Sequence, residues 1–227
     1  MTGAIGNMLY PGICAVCGRE LVRQEEVLCL HCLADMPRTF FFQRNDNPVA
    51  QNFWGKIPFS RAASFLFFRE GSPYRKLLHK MKYLGQAPIG FFMGRLAGQE
   101  ILHSPWACDP GILVPVPMLS SKRRKRGYNQ AELLAAGIAR ATGWPMNTTM
   151  LKRIKESESQ TGKNRVERWM NIRGAFKACD EDEYEERHII LVDDVITTGA
   201  TLEGCAGAIL NACPGAVLSI ASLAYVE

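Results

Sequence analysis

The chain has 227 residues, 47% of them hydrophobic and 22% charged, with a formal net charge of +5. That is the composition of a folded globular protein with room for one full domain and a small module. No apolar run reaches the ~18 residues that cross a bilayer, and the opening MTGAIGNMLYPGIC has neither a basic n-region nor a sustained apolar stretch. Neither a membrane span nor a secretory signal is expected. A cytoplasmic location follows, with the eight cysteines reduced.

The charge is unevenly spread. Residues 120–175 hold 13 Lys/Arg against 4 Asp/Glu, while the rest of the chain holds 14 against 18. The acidic run DEDEYEE at 180–186 reads as a solvated loop ahead of a strand. The basic middle implies an acidic partner such as phosphate, pyrophosphate or a nucleic-acid backbone.

In chain order, the first signal is CAVCGRELVRQEEVLCLHC, which carries Cys14, Cys17, Cys29 and Cys32. Two C-x2-C knuckles at this spacing suit four thiolates around a structural Zn²⁺. Gly18 fits the tight turn after the first pair. His31 offers a substitute for one thiolate, although the paired spacing favours the four cysteines. Two disulfides or four unrelated thiols are the other readings, and a reducing cytosol disfavours the disulfides. A closed four-ligand site assigns the metal to folding, since so small a ribbon cannot hold itself by core burial. Cys108, Cys179, Cys205 and Cys213 lack knuckle spacing and read as small core residues.

The ribbon is expected to end near Pro37. Residues 41–58, FFQRNDNPVAQNFWGKIP, read as a linker or irregular loop, which divides the chain into 1–58 and 59–227. Phe41, Phe42, Phe53 and Trp54 are predicted to dock the ribbon on the next domain, with a base-stacking platform as the weaker alternative.

From residue 60 strands alternate with helices. RAASFLFF (61–68) reads as a strand, and 72–85 as a helix with Ser72 as N-cap and Leu77, Leu78, Met81 and Leu84 on one face. Residues 88–102 make a second helix, 111–117 a short strand running into a proline-fixed loop, and 129–143 a helix closed by Gly143. A buried strand HIILVDD, a helix over 199–213 and a final strand over 216–226 complete an α/β pattern. The alternation predicts a mostly parallel sheet with helices on both faces.

Within it, IILV delivers Asp193 and Asp194 to the carboxyl edge of the sheet, where open α/β folds bind ligands. The loop TTGAT then leads into a helix, whose free N–H groups and dipole favour phosphate. Gly199 admits a close anion, and Thr197, Thr198 and Thr201 add hydroxyl donors. Two acids beside an anion site imply neutral hydroxyls between them, so a sugar phosphate fits. Neither a Walker loop nor G-x-G-x-x-G is present to suggest a nucleoside triphosphate or dinucleotide.

Residues 189–201, IILVDDVITTGAT, resemble the phosphoribosyl-pyrophosphate (PRPP) motif of type I phosphoribosyltransferases. The wider pattern resembles the ComF family of competence proteins. The knuckle pair, KYLG (82–85), VPVP (114–117), RGYNQAELLA (126–135) and ESQTGKNRVERWMNIRGAF with Gln160, Thr161, Arg165, Arg168, Asn171 and Phe176 all take part. The resemblance implies a type I phosphoribosyltransferase fold with a small N-terminal zinc-ribbon module.

It further implies Asp193 and Asp194 on the ribose hydroxyls, Thr197, Thr198, Gly199, Ala200 and Thr201 on the 5-phosphate, and residues 116–119, Val116 and Pro117 among them, on pyrophosphate. A loop over 153–168 would close over the reacting carbon, with Arg153, Lys155, Lys163, Arg165 and Arg168 as cations for the leaving group and Mg²⁺ bridging pyrophosphate and ribose oxygens. The run Lys122, Arg123, Arg124, Lys125 and Arg126 ahead of Tyr128 reads as a solvated helix start, a pyrophosphate clamp or a single-strand contact, and Arg126 belongs to the family stretch. The 26 residues after the motif hold one helix and one strand, so an acceptor hood is expected from ribbon and linker. Two functions remain. One is transfer of a phosphoribosyl group from PRPP. The other is non-catalytic PRPP binding by a protein that handles single-stranded DNA during uptake in natural transformation, beside other uptake or helicase proteins.

Overall fold

The computed structural model describes residues 12–154, 174–178 and 184–226. Among them, six strands run in chain order: β1 (Arg61–Phe68), β2 (Ile112–Pro115), β3 (Leu151–Arg153), β4 (Phe176–Ala178), β5 (His188–Ile196) and β6 (Val217–Val226). The helices are α1 (Leu30–Ala34), α2 (Pro48–Phe53), α3 (Arg75–Tyr83), α4 (Ala87–Leu102), α5 (Ser120–Arg126), α6 (Gln130–Thr142) and α7 (Ala200–Ala212).

Four strands form one sheet in the order β1-β6-β5-β2, and every pairing in it is parallel. The register sets Ile189 to Val192 between residues 112–115 on one side and 218–221 on the other. All four of these β5 residues are buried, as are seven consecutive residues of β6. Unbroken burial along a strand means that both faces of the sheet are covered, which is the expected parallel arrangement.

The helices α4 and α6 cross without side chains between them. A Cβ at Gly94 would lie 2.2 Å from the Leu134 carbonyl oxygen, and one at Gly137 would lie 2.2 Å from that of Phe91. Only glycine at both positions lets the backbones meet so closely. Asn129 caps α6 by accepting from the Ala131 N–H, and Gly143 ends it at φ 76°.

The structure differs from the sequence expectations at several points. The first large helix begins at Arg75, because Ser72 and Pro73 form a turn whose carbonyls accept from Arg75 and Lys76. The antiparallel pair β3–β4 was not expected, since three-residue strands carry no periodicity. The stretch taken as a linker is ordered: residues 41–43 form a 3₁₀ turn, and α2 is capped by Asn47, whose Oδ1 accepts from Val49 and Ala50 at 3.0 and 3.1 Å. Phe41, Phe42 and Phe53 are buried in the same hydrophobic core as Cys14 and the sheet, but Trp54 is 55% exposed and does not dock. Cys205 and Cys213 are core residues, Cys108 is exposed at the end of a 3₁₀ turn, and Cys179 lies outside the described residues.

The first module is tied to the rest by short contacts. Tyr74 donates to the Cys32 carbonyl at 2.8 Å, and Arg95 pairs with Glu26 at 2.8 Å. Directly after α1, residues 37–39 run antiparallel to β1: Phe67 donates to the Pro37 carbonyl at 2.9 Å, and Thr39 to that of Phe65 at 3.0 Å.

Candidate functional site

The carboxyl end of β5 presents Asp193 and Asp194, both partly buried. The Asp194 N–H donates to Asp193 Oδ1 at 2.8 Å, which orients the first carboxylate along the strand. Asp194 Oδ2 lies 2.8 Å from Lys82 Nζ, the lysine of KYLG at the end of α3. Burial pushes the Asp193 carboxyl up to about 7, and the Asp194 charge pushes the same way. The Asp194 N–H, Lys82 and Arg153 oppose this. Beneath the pair, Cys205 of α7 is fully buried, and its thiol is raised by burial and by Asp193. Asp193 thus carries its charge against burial and a neighbouring carboxylate, even with Lys82 and Arg153 nearby.

The RGYNQ stretch builds the surroundings. Asn129 Nδ2 donates to the Val116 carbonyl at 2.9 Å, and Val116 N–H donates to the Val192 carbonyl at 2.8 Å, so the loop after β2 is held against the end of β5. Tyr128 and Gln130 both donate to the Met81 carbonyl, at 2.6 and 3.0 Å, which fixes the end of α3 and hence Lys82. Arg126 donates to Gln130 Oε1 at 2.6 Å, with its guanidinium 5.9 Å from the Tyr83 ring centre.

Beyond the acids, the strand enters the loop with Thr197 and Thr198 exposed, Gly199 buried and α7 starting at Ala200. Residues 193 and 195–202 line a concavity of about 40 Å³. That is far below the ~300 Å³ of a small-molecule pocket and suits one anionic group rather than a whole ligand. Gly199 sits at φ 77°, and a Cβ there would meet the Phe53 ring at 2.6 Å. Glycine is therefore required by backbone conformation and by α2 packing, a reason that sequence alone did not supply.

Arg153 lies on β3, stacked 5.3 Å over Phe176, and its charge is felt at Asp193 and Cys205. The structure thus brings together Asp193, Asp194, residues 197–201, Val116 and Arg153. Pro117 is partly buried just past β2. Lys155, Lys163, Arg165 and Arg168, with Gln160, Thr161 and Asn171, lie outside the described residues. Sequence reasoning missed Lys82 as a partner of the acids, although KYLG had drawn notice. It also missed Asn52 and Lys56, which reach the loop from a segment read as linker; Phe53 docks on the next domain as expected, and does so over Gly199.

At the other end of the chain, the Sγ atoms of Cys14, Cys17, Cys29 and Cys32 lie within 4.8 Å of one another. The Cys17–Cys29 sulfur separation is 3.7 Å. That is far longer than the ~2.05 Å of a disulfide and matches the ~3.8 Å edge of a tetrahedron with ~2.3 Å metal–sulfur bonds. His31 is exposed and outside the cluster. Burial raises the Cys14 thiol, but hydrogen bonds from Cys17, Cys29 and Val16 outweigh it and bring it down to about 6. Burial and the three neighbouring cysteines push the Cys32 thiol up. Within the cluster Cys14 thus gives up its proton readily while Cys32 holds on to its own. This cluster can hold a metal ion.

Sheet, acid-pair loop and cysteine cluster define a parallel α/β protein with an N-terminal four-cysteine module. Scanned against protein-family models, the chain matches none. It is 29% identical over 196 residues to Competence protein F of Haemophilus influenzae, covering 84% of this chain and 81% of that protein. It is 27% identical over 194 residues to the DNA utilization protein YhgH of Escherichia coli K12, with the same two shares. Against Competence protein ComFC of Bacillus subtilis it is 36% identical over 95 residues, 42% of this chain and 36% of that protein. Among solved structures it is similar to adenine phosphoribosyltransferase of Leishmania tarentolae, at 11% identity and TM-score 0.39 over 80% of this chain and 89% of that one. It is also similar to hypoxanthine-guanine phosphoribosyltransferase of L. donovani, at 16% identity and TM-score 0.34 over 60% and 67%. These similarities agree with the ComF resemblance of the motifs.

Proposed function

We propose that this chain is a PRPP-binding protein of the ComF type that acts in DNA uptake, with Mg²⁺-dependent ligand binding and a structural Zn²⁺ in the cysteine cluster. The observation that carries the reading is the acid pair at the carboxyl edge of the sheet, followed two residues on by two exposed threonines and a glycine-started helix. The names of its relatives, competence and DNA utilization proteins, support the biological setting. No described helix is long and apolar enough to cross a membrane; the cytoplasm is the proposed compartment. Residues 1–58 and 59–227 are the proposed divisions, the first a zinc ribbon with its linker.

In this reading Asp193 and Asp194 accept from the ribose hydroxyls, and residues 197–201 hold the 5-phosphate through N–H and hydroxyl donors. Val116 and Pro117 flank the pyrophosphate, with Arg126 behind them. In transfer of the phosphoribosyl group, an acceptor nucleophile would bond to the anomeric carbon as its bond to pyrophosphate breaks, and the electron pair of that bond would leave on the pyrophosphate oxygen. Arg153, Lys163, Arg165 and Arg168 are the proposed cations for that charge. Asp193 and Asp194 are the carboxylates that would face a bound Mg²⁺, which would add positive charge for the leaving pyrophosphate.

A specific observation supports single-stranded DNA as a second ligand. Tyr83 is 70% exposed, with the His79 ring 5.1 Å away and the Arg126 guanidinium 5.9 Å away. Exposed Arg75 and Lys76 lie earlier on the same helix, and exposed Lys122 to Lys125 precede Arg126 on α5. An aromatic face set among cations is what a flexible phosphate backbone with free bases prefers.

Thermal unfolding with and without PRPP and Mg²⁺ tests the main reading. Ligand bound to the folded state raises the melting temperature by mass action. The double variant Asp193→Asn, Asp194→Asn should stay folded and lose most of that rise. An unchanged rise would mean that the acids do not hold the ribose.

A further inference from the structure

The loop of residues 197–199 is not built by its own domain alone. Three side chains from α2 and the turn after it reach it. Asn52 Nδ2 donates to the Thr197 carbonyl at 3.3 Å. The fully buried Phe53 ring fills the space above Gly199 and packs edge-on against Phe59 at 6.2 Å. Lys56 Nζ lies 3.2 Å from Oε1 of Glu203, which stands in the first turn of α7.

Glu203 poses an electrostatic problem for an anion site. A carboxylate in the first turn of a helix competes for the same positive dipole end that would attract a phosphate. Its side chain is 10% exposed, so solvent screens it poorly. Lys56, 39% exposed, sits on the solvent side of that carboxylate and neutralises it. The segment that carries Lys56 also carries Phe53 and Asn52, so one short stretch both shapes the loop and sets its charge.

We propose that Lys56 is an affinity-determining positioning residue of the sugar-phosphate site, and that Asn52 and Phe53 hold the loop in its binding form. The segment joining the cysteine module to the α/β domain is then a working part of the site rather than a tether. This rests on the reading of residues 197–201 as the 5-phosphate loop.

Calorimetric titration of the full metal-loaded chain with PRPP, ribose 5-phosphate and pyrophosphate, each with Mg²⁺, tests it. Lys56→Gln leaves Glu203 uncompensated and should weaken PRPP and ribose 5-phosphate about tenfold, with pyrophosphate unchanged. Lys56→Arg should bind as wild type. Adding Glu203→Gln to Lys56→Gln should bring ribose 5-phosphate back to within about threefold of wild type, which a merely structural role would not do. Asn52→Ala should cost about threefold through one lost hydrogen bond. Wild-type affinity in Lys56→Gln, equal losses for all three ligands, or no rescue by Glu203→Gln would each overturn the proposal while leaving the ligand reading intact. Failure of wild-type protein to bind either PRPP or ribose 5-phosphate would overturn both.

Discussion

Replacing Asp193 by asparagine should stabilise the ligand-free protein, and by an amount that depends on pH in a fixed way. The carboxyl titrates at about 7 in the folded chain against an ordinary 3.8, chiefly through burial and the charge of Asp194. A folded value above the unfolded one means that the folded state binds the extra proton, so wild-type stability falls as pH rises from about 4 to about 7 and is level beyond. At about 1.4 kcal/mol per pH unit, the gap corresponds to at most about 4 kcal/mol; relaxation and water entry bring this to roughly 2 kcal/mol. Asparagine keeps the shape and removes the charge. Its advantage over wild type should be small near pH 4, widen to pH 7 and then stay constant. For a chain of this size the melting temperature should rise by roughly 4–8 °C at pH 8. Calorimetric unfolding of both proteins from pH 4 to 8.5, without ligand or Mg²⁺, measures this. An advantage that does not change with pH, or a less stable variant at pH 8, would refute the account of a strained acid pair.

Elemental analysis of protein purified without added metal should find one zinc per chain, and substitution of Cys14, Cys17, Cys29 or Cys32 should remove it; less than half an equivalent would overturn the closed-site reading. For single-stranded DNA, the fourfold alanine variant at Lys122, Arg123, Arg124 and Lys125 should weaken binding for every sequence. Arg123 is already paired with Glu132 at 2.8 Å, so about three phosphate contacts are at stake. The slope of log K against log salt should flatten by about 2 units at roughly 0.7 per contact. Tyr83→Ala should weaken binding without altering that slope. A variant that keeps DNA affinity and loses PRPP would instead make α5 a pyrophosphate clamp.

What could be read from the sequence was what period and spacing encode. β1 matches residues 61–68, and α6 and α7 fall within a residue of their expected bounds, because each joins a regular apolar pattern to a cap or a glycine. The four cysteines come together as their spacing required. The acid pair reaches the sheet edge because four buried residues precede it and force a central parallel strand. Tertiary partners were not legible. Nothing near Lys82 in sequence says that it meets Asp194, 112 residues away, and nothing in an Asn- and Pro-rich stretch says that Phe53 will cover Gly199. The helix α2 was hidden because Asn47 and Pro48, which read as loop residues, are here its N-cap and first turn. Such residues start helices as readily as they interrupt them.

The strand-like run of residues 37–39 has a consequence for solubility. β1 ends the sheet, and its sequence from Ala62 to Phe68 is uncharged and carries no proline. Left open, such a strand would offer its backbone as a template to a second molecule, the usual route to edge-to-edge aggregation. Here Pro37 and Thr39 occupy those backbone partners, and they follow within seven residues of Cys32 in the cysteine cluster. A metal ion held by the cluster would thereby also keep the β1 edge shut. Chain that has lost its metal should accordingly self-associate through β1 before the α/β domain itself unfolds.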